Sequence, residues 1–248
     1  MANLRIERDG DVLRVTLARP DRRNAFDAEL IAELATAFVD VGRARAVVLA
    51  GEGPSFCAGA DVEWMRSSAE LTYDENVADA LALRRMLEAI DGCPAPVICR
   101  VQGHALGGGA GLVACADVVI AAPDAVFAFS EAKLGIVPAV ISPFALAKIG
   151  PSWGRRLFPT GERFGAELAL RIGLVHELAD DLDAAVERVL RELRSAGPRA
   201  ARAAKRLVLD APLDGLETAR RIAERRTSDE GQEGLKAFLE RRRPDWSG

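Results

Sequence analysis

The chain has 248 residues, of which 49% are hydrophobic and 28% are charged. These proportions supply the apolar side chains of one large core and exclude intrinsic disorder as a description of the whole chain. Because 33 Lys and Arg residues are set against 37 Asp and Glu residues, the net charge of -4 excludes the strongly positive surface that general binding to nucleic acid or to an anionic membrane requires.

Hydropathy and cysteine spacing indicate a reducing compartment. Asp117 interrupts the best apolar stretch before it reaches the roughly 18 residues that span a bilayer, and the first residues have no signal-peptide pattern. The four cysteines form no Cys-x-x-Cys pair, which favours reduced, buried thiols over disulfides or a zinc site. With only two histidines as well, we predict a cytoplasmic protein without a metal site.

The first elements alternate between strand and helix. Residues 4–17 alternate apolar and polar side chains around Asp9-Gly10-Asp11, which is typical of a β-hairpin. Apolar residues then recur at helical spacing from Leu30 to Val41. The continuous apolar run 46–50 predicts a strand that is buried on both faces.

The same order returns further along the chain. A helical pattern around Leu81 to Ile90 is followed by a buried strand at 97–101, and a third apolar strand is predicted at 118–121. Repeated units of this kind favour an α/β domain with helices packed around sheet layers.

The pattern becomes almost wholly helical from Ala184 onward. Gly197-Pro198 begins one predicted helix, Leu216 to Ile222 belong to another, and Ser228 caps the last. We therefore divide the chain into a core of residues 1–195 and a C-terminal helical region of residues 196–248.

Two glycine-rich loops each follow a buried strand. The first, residues 51–61, precedes a predicted helix, and the second, residues 103–111, leads into an apolar helix at 112–116. Small residues allow a ligand to approach the backbone, and the N–H groups at a helix N-terminus attract negative charge. The spacing alone predicts either one oxyanion site formed by both loops or two tight turns.

The second loop also fits a different motif. Gly109-x-Gly111-x-x-Ala114 matches the dinucleotide fingerprint, with Asp124 or Glu131 at about the distance of a ribose-binding acid. This interpretation places the motif in the middle of the domain and leaves the first glycine loop unexplained, so we do not favour it.

Glu131 is the candidate acid or base. If residues 126–131 are extended, the period of two places Phe127, Phe129 and Glu131 on one face of a strand. Burial beside aromatic rings would raise the carboxyl pKa toward neutrality, where a general acid or base works best. The alternative is a glutamate at the end of a strand that reaches water or Lys133.

Five segments of the chain resemble the enoyl-CoA hydratase/isomerase (crotonase) family. They occur in family order and span nearly the whole sequence: Asn24-Ala25-Phe26, residues 56–61, residues 103–109, residues 129–136 and residues 237–244. The resemblance implies a crotonase-like spiral of repeated ββα units with a C-terminal helical trimerisation region. It further implies a trimer or a dimer of trimers.

The resemblance also implies an acyl-CoA thioester as substrate, with coenzyme A as part of that substrate and no separate cofactor. The N–H groups of Ala60 and Gly108 would form the oxyanion hole, and Glu131 would be the catalytic carboxylate. Arg241 to Arg243 would reach a CoA phosphate or simply end a solvated helix. The other substrate contacts that we predict are Arg22, Arg23, Ala25, Ala58, Asp61, Val62, Gly111 and Pro138.

One departure from the family pattern affects the predicted reaction. Where two-glutamate hydratases have Gly-Gly-Gly-x-Glu-Leu, this chain has Gly111 in place of the glutamate, so Glu131 alone matches. A lone glutamate suits the isomerases of the family. Residues 60–65 and 130–143, however, resemble hydratases of branched, carboxylated enoyl-CoAs of the methylglutaconyl type.

We therefore predict a hydratase that acts on a 2-enoyl-CoA in fatty-acid or branched-chain acyl-CoA breakdown. A single-glutamate delta-isomerase and a catalytically silent acyl-CoA binder are the alternatives. Which group replaces the missing second glutamate is left open by the sequence.

Overall fold

Strands and helices alternate along most of the chain, as the sequence predicts. The computed structural model describes residues 3–247. The strands in these residues are β1 (Leu4–Asp9), β2 (Val12–Leu17), β3 (Ala46–Gly51), β4 (Val97–Val101), β5 (His104–Leu106), β6 (Val118–Ala121), β7 (Val126–Ala128), β8 (Phe164–Gly165) and β9 (Glu177–Leu178). The helices are α1 (Ala28–Val39), α2 (Val62–Ser68), α3 (Tyr73–Asp91), α4 (Gly108–Cys115), α5 (Ser142–Thr160), α6 (Ala166–Arg171), α7 (Leu182–Ser195), α8 (Pro198–Leu209), α9 (Gly215–Thr227) and α10 (Asp229–Leu239).

The strands form two sheets. The larger has the order β1-β2-β3-β4-β6-β9, in which only the β1–β2 hairpin is antiparallel. The smaller has the order β5-β7-β8, with β5 and β7 parallel. The hairpin, the three buried strands and the mixed α/β fold class are all confirmed.

Both faces of the larger sheet are covered, which explains the continuous apolar runs in its central strands. Val47 and Leu49 of β3 belong to the main core. Ala46 and Val48, which alternate with them, pack in a second cluster with Leu182 and its neighbours on α7. A strand that is buried on both faces has no position for polar side chains.

Two boundaries near the glycine loop and Glu131 differ from our predictions. α4 begins at Gly108, inside the glycine run, rather than at residue 112. The predicted strand at 126–131 is wrong in its second half, because β7 ends at Ala128 and Glu131 begins a short 3-10 helix, Glu131–Leu134. Glu131 therefore does not share a strand face with the two phenylalanines.

Phe127 and Phe129 have another role, because they pack into the core. The Phe127 ring stacks on Phe164 with centroids 5.8 Å apart, and the Phe129 ring meets the edge of Phe158 at 5.1 Å. Aromatic contacts of this kind stabilise the layer between β7 and α5.

The C-terminal helices begin where the sequence predicts. Gly197 caps α8 with Pro198 in its first turn, and the Ser228 hydroxyl accepts a hydrogen bond from the Gly231 N–H at the start of α10. A salt bridge of 2.7 Å between Lys205 and Asp117 joins α8 to the core. α7 ends at Ser195, and the division of the chain near that residue stays a prediction.

Three further observations concern the membrane, disulfide and metal classes that we disfavoured. None of the helices within residues 3–247 combines the length and apolarity needed to cross a membrane. All four cysteines are buried, as predicted. The described residues contain no group of three or more His, Cys, Asp or Glu side chains suited to holding a metal ion.

Candidate active site

Backbone hydrogen bonds join the two glycine loops side by side. The Cys57 N–H donates to the His104 carbonyl at 2.9 Å, and the Leu106 N–H donates to the Cys57 carbonyl at 3.0 Å. The Phe56 N–H makes a third bond, to the Gln102 carbonyl at 2.8 Å. The loops therefore converge as they would for a shared oxyanion site.

This close approach requires glycine at two positions. Gly59 has a φ of +92°, and a Cβ there would lie 2.6 Å from the Leu106 carbonyl oxygen. A Cβ on Gly109 would overlap the Cys57 carbonyl oxygen. Side chains at either position would push the loops apart.

The loops present two free backbone donors to one cavity. The N–H groups of Ala60 and Gly108 donate to no backbone carbonyl or side chain within residues 3–247. Ala60 is fixed on both sides, because the Phe26 N–H donates to the Gly59 carbonyl and the Asp61 N–H donates to the Phe26 carbonyl, both at 2.9 Å. Gly108 is the first residue of α4, so its N–H lies at the positive end of a helix.

Glu131 lies in the same cavity. Its Oε2 atom is buried and has no hydrogen-bond partner in the part of the chain that the structure describes. Burial raises the pKa of this carboxyl above its ordinary value, although a backbone hydrogen bond opposes the shift. A desolvated carboxyl group with one unpaired oxygen is available to exchange a proton with a ligand.

The cavity has a volume of about 360 Å³ and a largely apolar middle. Phe26, Trp64, Leu83, Val140 and Ile141 supply its hydrocarbon walls. The region around Ser67 to Leu83 is predicted to supply part of the wall, and Leu83 does so, but the other wall residues come from separate elements that only the fold brings together. Walls of this kind suit an apolar ligand, and the two N–H donors suit a polar group on it.

A family model for enoyl-CoA hydratase/isomerase matches residues 7–248. The chain belongs to this family. A cyclohexa-1,5-dienecarbonyl-CoA hydratase from Thauera aromatica is 35% identical over 260 residues, which cover 97% of this chain and 95% of that protein. The structure of an enoyl-CoA hydratase from Shewanella pealeana is 39% identical, with a TM-score of 0.93 over 99% of this chain and 96% of that one. AtuE from Pseudomonas aeruginosa is 38% identical, with a TM-score of 0.95 and 100% coverage of both chains.

Among the site residues that the crotonase resemblance implies, five line the cavity: Ala58, Ala60, Gly108, Glu131 and Pro138. The three proposed catalytic positions thus meet in one place. The resemblance to hydratases of the methylglutaconyl type stays a prediction.

Arg22 and Asp61 hold the first loop in place rather than line the cavity. The Asp61 carboxylate accepts from the Glu63 N–H at 2.9 Å as the N-cap of α2, and from the Arg22 guanidinium at 2.9 Å. Burial would raise the pKa of Asp61, but these hydrogen bonds and the positive charges of Arg22 and Arg19 lower it overall. Arg22 remains half exposed beside the loop, where a phosphate of the substrate could approach it.

The neighbouring predicted contacts are divided between surface and interior. The exposed Arg23 accepts a hydrogen bond from the Ala58 N–H through its carbonyl at 2.9 Å, and Val62 is exposed as well. Ala25 is buried beneath the loop. Next to it, the buried Asn24 side chain accepts from the Arg19 N–H and donates to two carbonyls of the 51–61 loop.

Gly111 is a correction to our predictions, because it does not line the cavity. It is buried one turn inside α4, and a Cβ there would lie 2.6 Å from Cγ2 of Ile141. Ile141 is only 2% exposed and itself lines the cavity. Hydrocarbon therefore separates Gly111 from any bound substrate.

The three C-terminal arginines differ in their contacts. Arg242 bonds to Glu233 and to Glu240, which places it in an ion-pair network at the end of α10. Arg241 and Arg243 are exposed. Contact between these arginines and CoA stays a prediction.

Proposed function

We propose that this protein is an enoyl-CoA hydratase that adds water reversibly to the double bond of a 2-enoyl-CoA thioester. The observation that carries the proposal is the convergence of two free N–H groups and one unpaired, buried carboxyl group in a single cavity. Membership of the enoyl-CoA hydratase/isomerase family supports it.

The proposed reaction assigns one task to each group. The N–H groups of Ala60 and Gly108 polarise the thioester carbonyl and stabilise the negative charge that its oxygen gains when water attacks C3. Loss of one such donor costs about 3 kcal/mol in comparable sites. Glu131 accepts a proton from the attacking water as the new C–O bond forms, and a proton is delivered to C2 as the enolate collapses. We assign both proton transfers to Glu131, which gives to C2 the proton that it takes from water.

Coenzyme A enters the proposal as part of the substrate, and we propose no separate cofactor. Ala58 and the 22–25 loop lie beside the oxyanion donors and are suited to hold the nucleotide end. The affinity for its phosphates would come from backbone N–H groups and a few arginines, Arg22 and Arg23 among them, rather than from net charge.

Incorporation of oxygen-18 from water tests the proposed hydration. Purified protein is incubated with a 2-enoyl-CoA in oxygen-18 water, and label in the 3-hydroxyacyl product is measured by mass spectrometry. We expect stable label in the hydroxyl oxygen, and a fall of at least about 100-fold in rate for Glu131→Gln. Glu167→Gln, which changes an exposed glutamate of α6, is the matched control. Full turnover by Glu131→Gln would remove the proposed catalyst.

A delta-isomerase is the second candidate, because a single carboxyl group is sufficient to move a proton between two carbons. It would convert a 3-enoyl-CoA into the 2-enoyl isomer without incorporating oxygen-18. A protein that binds acyl-CoA but changes neither substrate would be a silent binder. The labelled incubation, carried out in parallel with a 2-enoyl-CoA and with a 3-enoyl-CoA, separates all three.

We also propose that the protein assembles as a trimer or a dimer of trimers and acts in the cytoplasm, in fatty-acid or branched-chain acyl-CoA breakdown. The exposed apolar side chains of α10 support the assembly, since Phe238 is 80% and Leu239 79% exposed. Apolar surface of this kind favours a subunit contact. Light scattering on wild type and Phe238→Ser tests it, because the variant should dissociate.

A further inference from the structure

A second group of polar residues lines the cavity, and it comes from α2 and α3. Ser68, Asn76 and Asp79 line the same cavity as Glu131. Asn76 and Asp79 are three residues apart on α3, and Leu83 follows four residues later on the same face. One face of α3 therefore presents two polar groups and, one turn further along, hydrocarbon to the cavity.

The polar groups from α2 and α3 are acceptors. The Asn76 Nδ2 atom donates to the carbonyls of Leu71 and Thr72, both at 3.0 Å, which leaves its Oδ1 free. The Ser68 hydroxyl donates to the Met65 carbonyl at 2.9 Å, so its oxygen can only accept. The half-buried carboxylate of Asp79 has no proton to donate.

The charge of the cavity points in the same direction. In the part of the chain that the structure describes, no Lys, Arg or His side chain lines it, whereas Asp79 and Glu131 both do. Burial raises the pKa of Asp79, and hydrogen bonding by the Trp64 side chain opposes the shift. A carboxylate on the acyl chain would meet like charge with no compensating cation.

We infer that the preferred acyl group is uncharged and carries a hydrogen-bond donor, most simply a hydroxyl group, at the end that reaches Asp79, Asn76 and Ser68. This inference rests on the proposed function only in taking an acyl-CoA as the ligand. Asp79 is then a specificity-determining residue, and the branched, carboxylated acyl groups suggested by the methylglutaconyl resemblance are disfavoured.

Binding of saturated acyl-CoAs tests the inference without requiring hydration. Three series are compared by titration calorimetry, with methyl, hydroxyl or carboxylate ends and matched chain lengths. At the best length we expect the hydroxyl series to bind at least about 10-fold more tightly than the methyl series, since a hydrogen bond to a charged group contributes about 1.5 kcal/mol or more. The carboxylate series should bind most weakly.

Variants of Asp79 assign the preference to that residue. Asp79→Leu should reverse the order of the hydroxyl and methyl series, and Asp79→Asn should improve binding of the carboxylate series by removing like charge. Asp74→Asn removes an exposed carboxylate from the same helix outside the cavity and should leave all three affinities unchanged. Wild-type preference for the methyl or carboxylate end, or an unchanged order in Asp79→Leu, overturns the inference. The hydroxyl preference without any hydration supports it and overturns only the proposed function.

Discussion

Replacing Gly111 by glutamate restores the second carboxyl group of the two-glutamate pattern, and the structure predicts that this change alone fails. The new Cβ would lie 2.6 Å from Cγ2 and 3.2 Å from Cβ of Ile141, and 3.8 Å from Cδ2 of Leu87. Ile141 cannot easily move away, because a β-branched side chain has few alternative rotamers and this one is buried. The carboxyl group would therefore enter a packed, apolar contact.

Distances this short mean that a side chain at position 111 would destabilise the folded state. Overpacking of this kind typically costs about 1–3 kcal/mol, and an unpaired carboxyl group in apolar surroundings adds to it or becomes protonated. For a domain of this size each kcal/mol lowers Tm by about 2–4 °C. Gly111→Ala introduces only the Cβ and separates the steric part from the charge. Ile141→Ala removes the atoms that clash, so it should offset part of the cost when it is combined with either change at Gly111.

The assay measures Tm and crotonyl-CoA hydration for each variant. We expect Gly111→Glu to lower Tm without raising the rate. Combination with Ile141→Ala should open the position to the cavity and raise the rate above that of Ile141→Ala alone. A Gly111→Ala variant as stable as wild type would contradict the contact between position 111 and Ile141. Strict additivity of the changes at Gly111 and Ile141 would contradict it as well.

Three further predictions follow from other contacts. Burial raises the pKa of Glu131 above its unfolded value, so ionising this carboxyl group destabilises the folded state. This cost is absent at acid pH and grows as the pH rises from the unfolded pKa to the folded pKa. Glu131→Gln should therefore raise Tm at about pH 7 and leave it nearly unchanged at about pH 4, and an equal change at both would contradict this. Asn24→Ala should lower the free energy of unfolding in urea by about 3 kcal/mol, since it leaves the Arg19 N–H and two carbonyls of the 51–61 loop unpaired. Asn24→Asp should recover only the bond that Oδ1 accepts from Arg19. Burial raises the pKa of the Cys57 thiol to about 12, so iodoacetamide should modify it only in denaturant, and rapid modification of the native protein would show that the loop opens.

Local signals in the sequence were sufficient for most of the fold. The apolar run at 46–50 predicts a strand covered on both faces, and the structure has Ala46 and Val48 against α7 while Val47 and Leu49 face the main core. Ser228 is a side-chain cap whose hydrogen bond to the Gly231 N–H spans only three residues. Features of this kind are decided within a few residues, so periodicity and capping chemistry identify them.

The errors occur where distant segments decide the structure. The period of two predicts a strand that includes Glu131, but pairing with β8 ends at Phe127 and pairing with β5 ends at Ala128, and the chain then turns into a 3-10 helix. Burial still raises the pKa of Glu131, but not through a strand face shared with the two phenylalanines, and the glycine run lies beside its carboxyl group at Gly107. Similarly, the contact of Ile141 with Gly111 joins the start of α5 to the interior of α4, and no local pattern indicates it.

Glu131 is distinguished by the complementary groups in its cavity rather than by its unpaired atom alone. Two other buried polar atoms, Glu33 Oε2 and Arg45 Nε, also have no partner in the described residues. Arg45 donates from its two terminal nitrogens to backbone carbonyls, and Glu33 lies near Glu29 and Asp27, and neither residue lines the cavity of Glu131. Glu131 shares one cavity with two free N–H donors of opposite hydrogen-bonding character. A ligand with an acceptor oxygen close to an exchangeable proton would pair all three groups at once, and random packing defects would not be expected to match a ligand in this way.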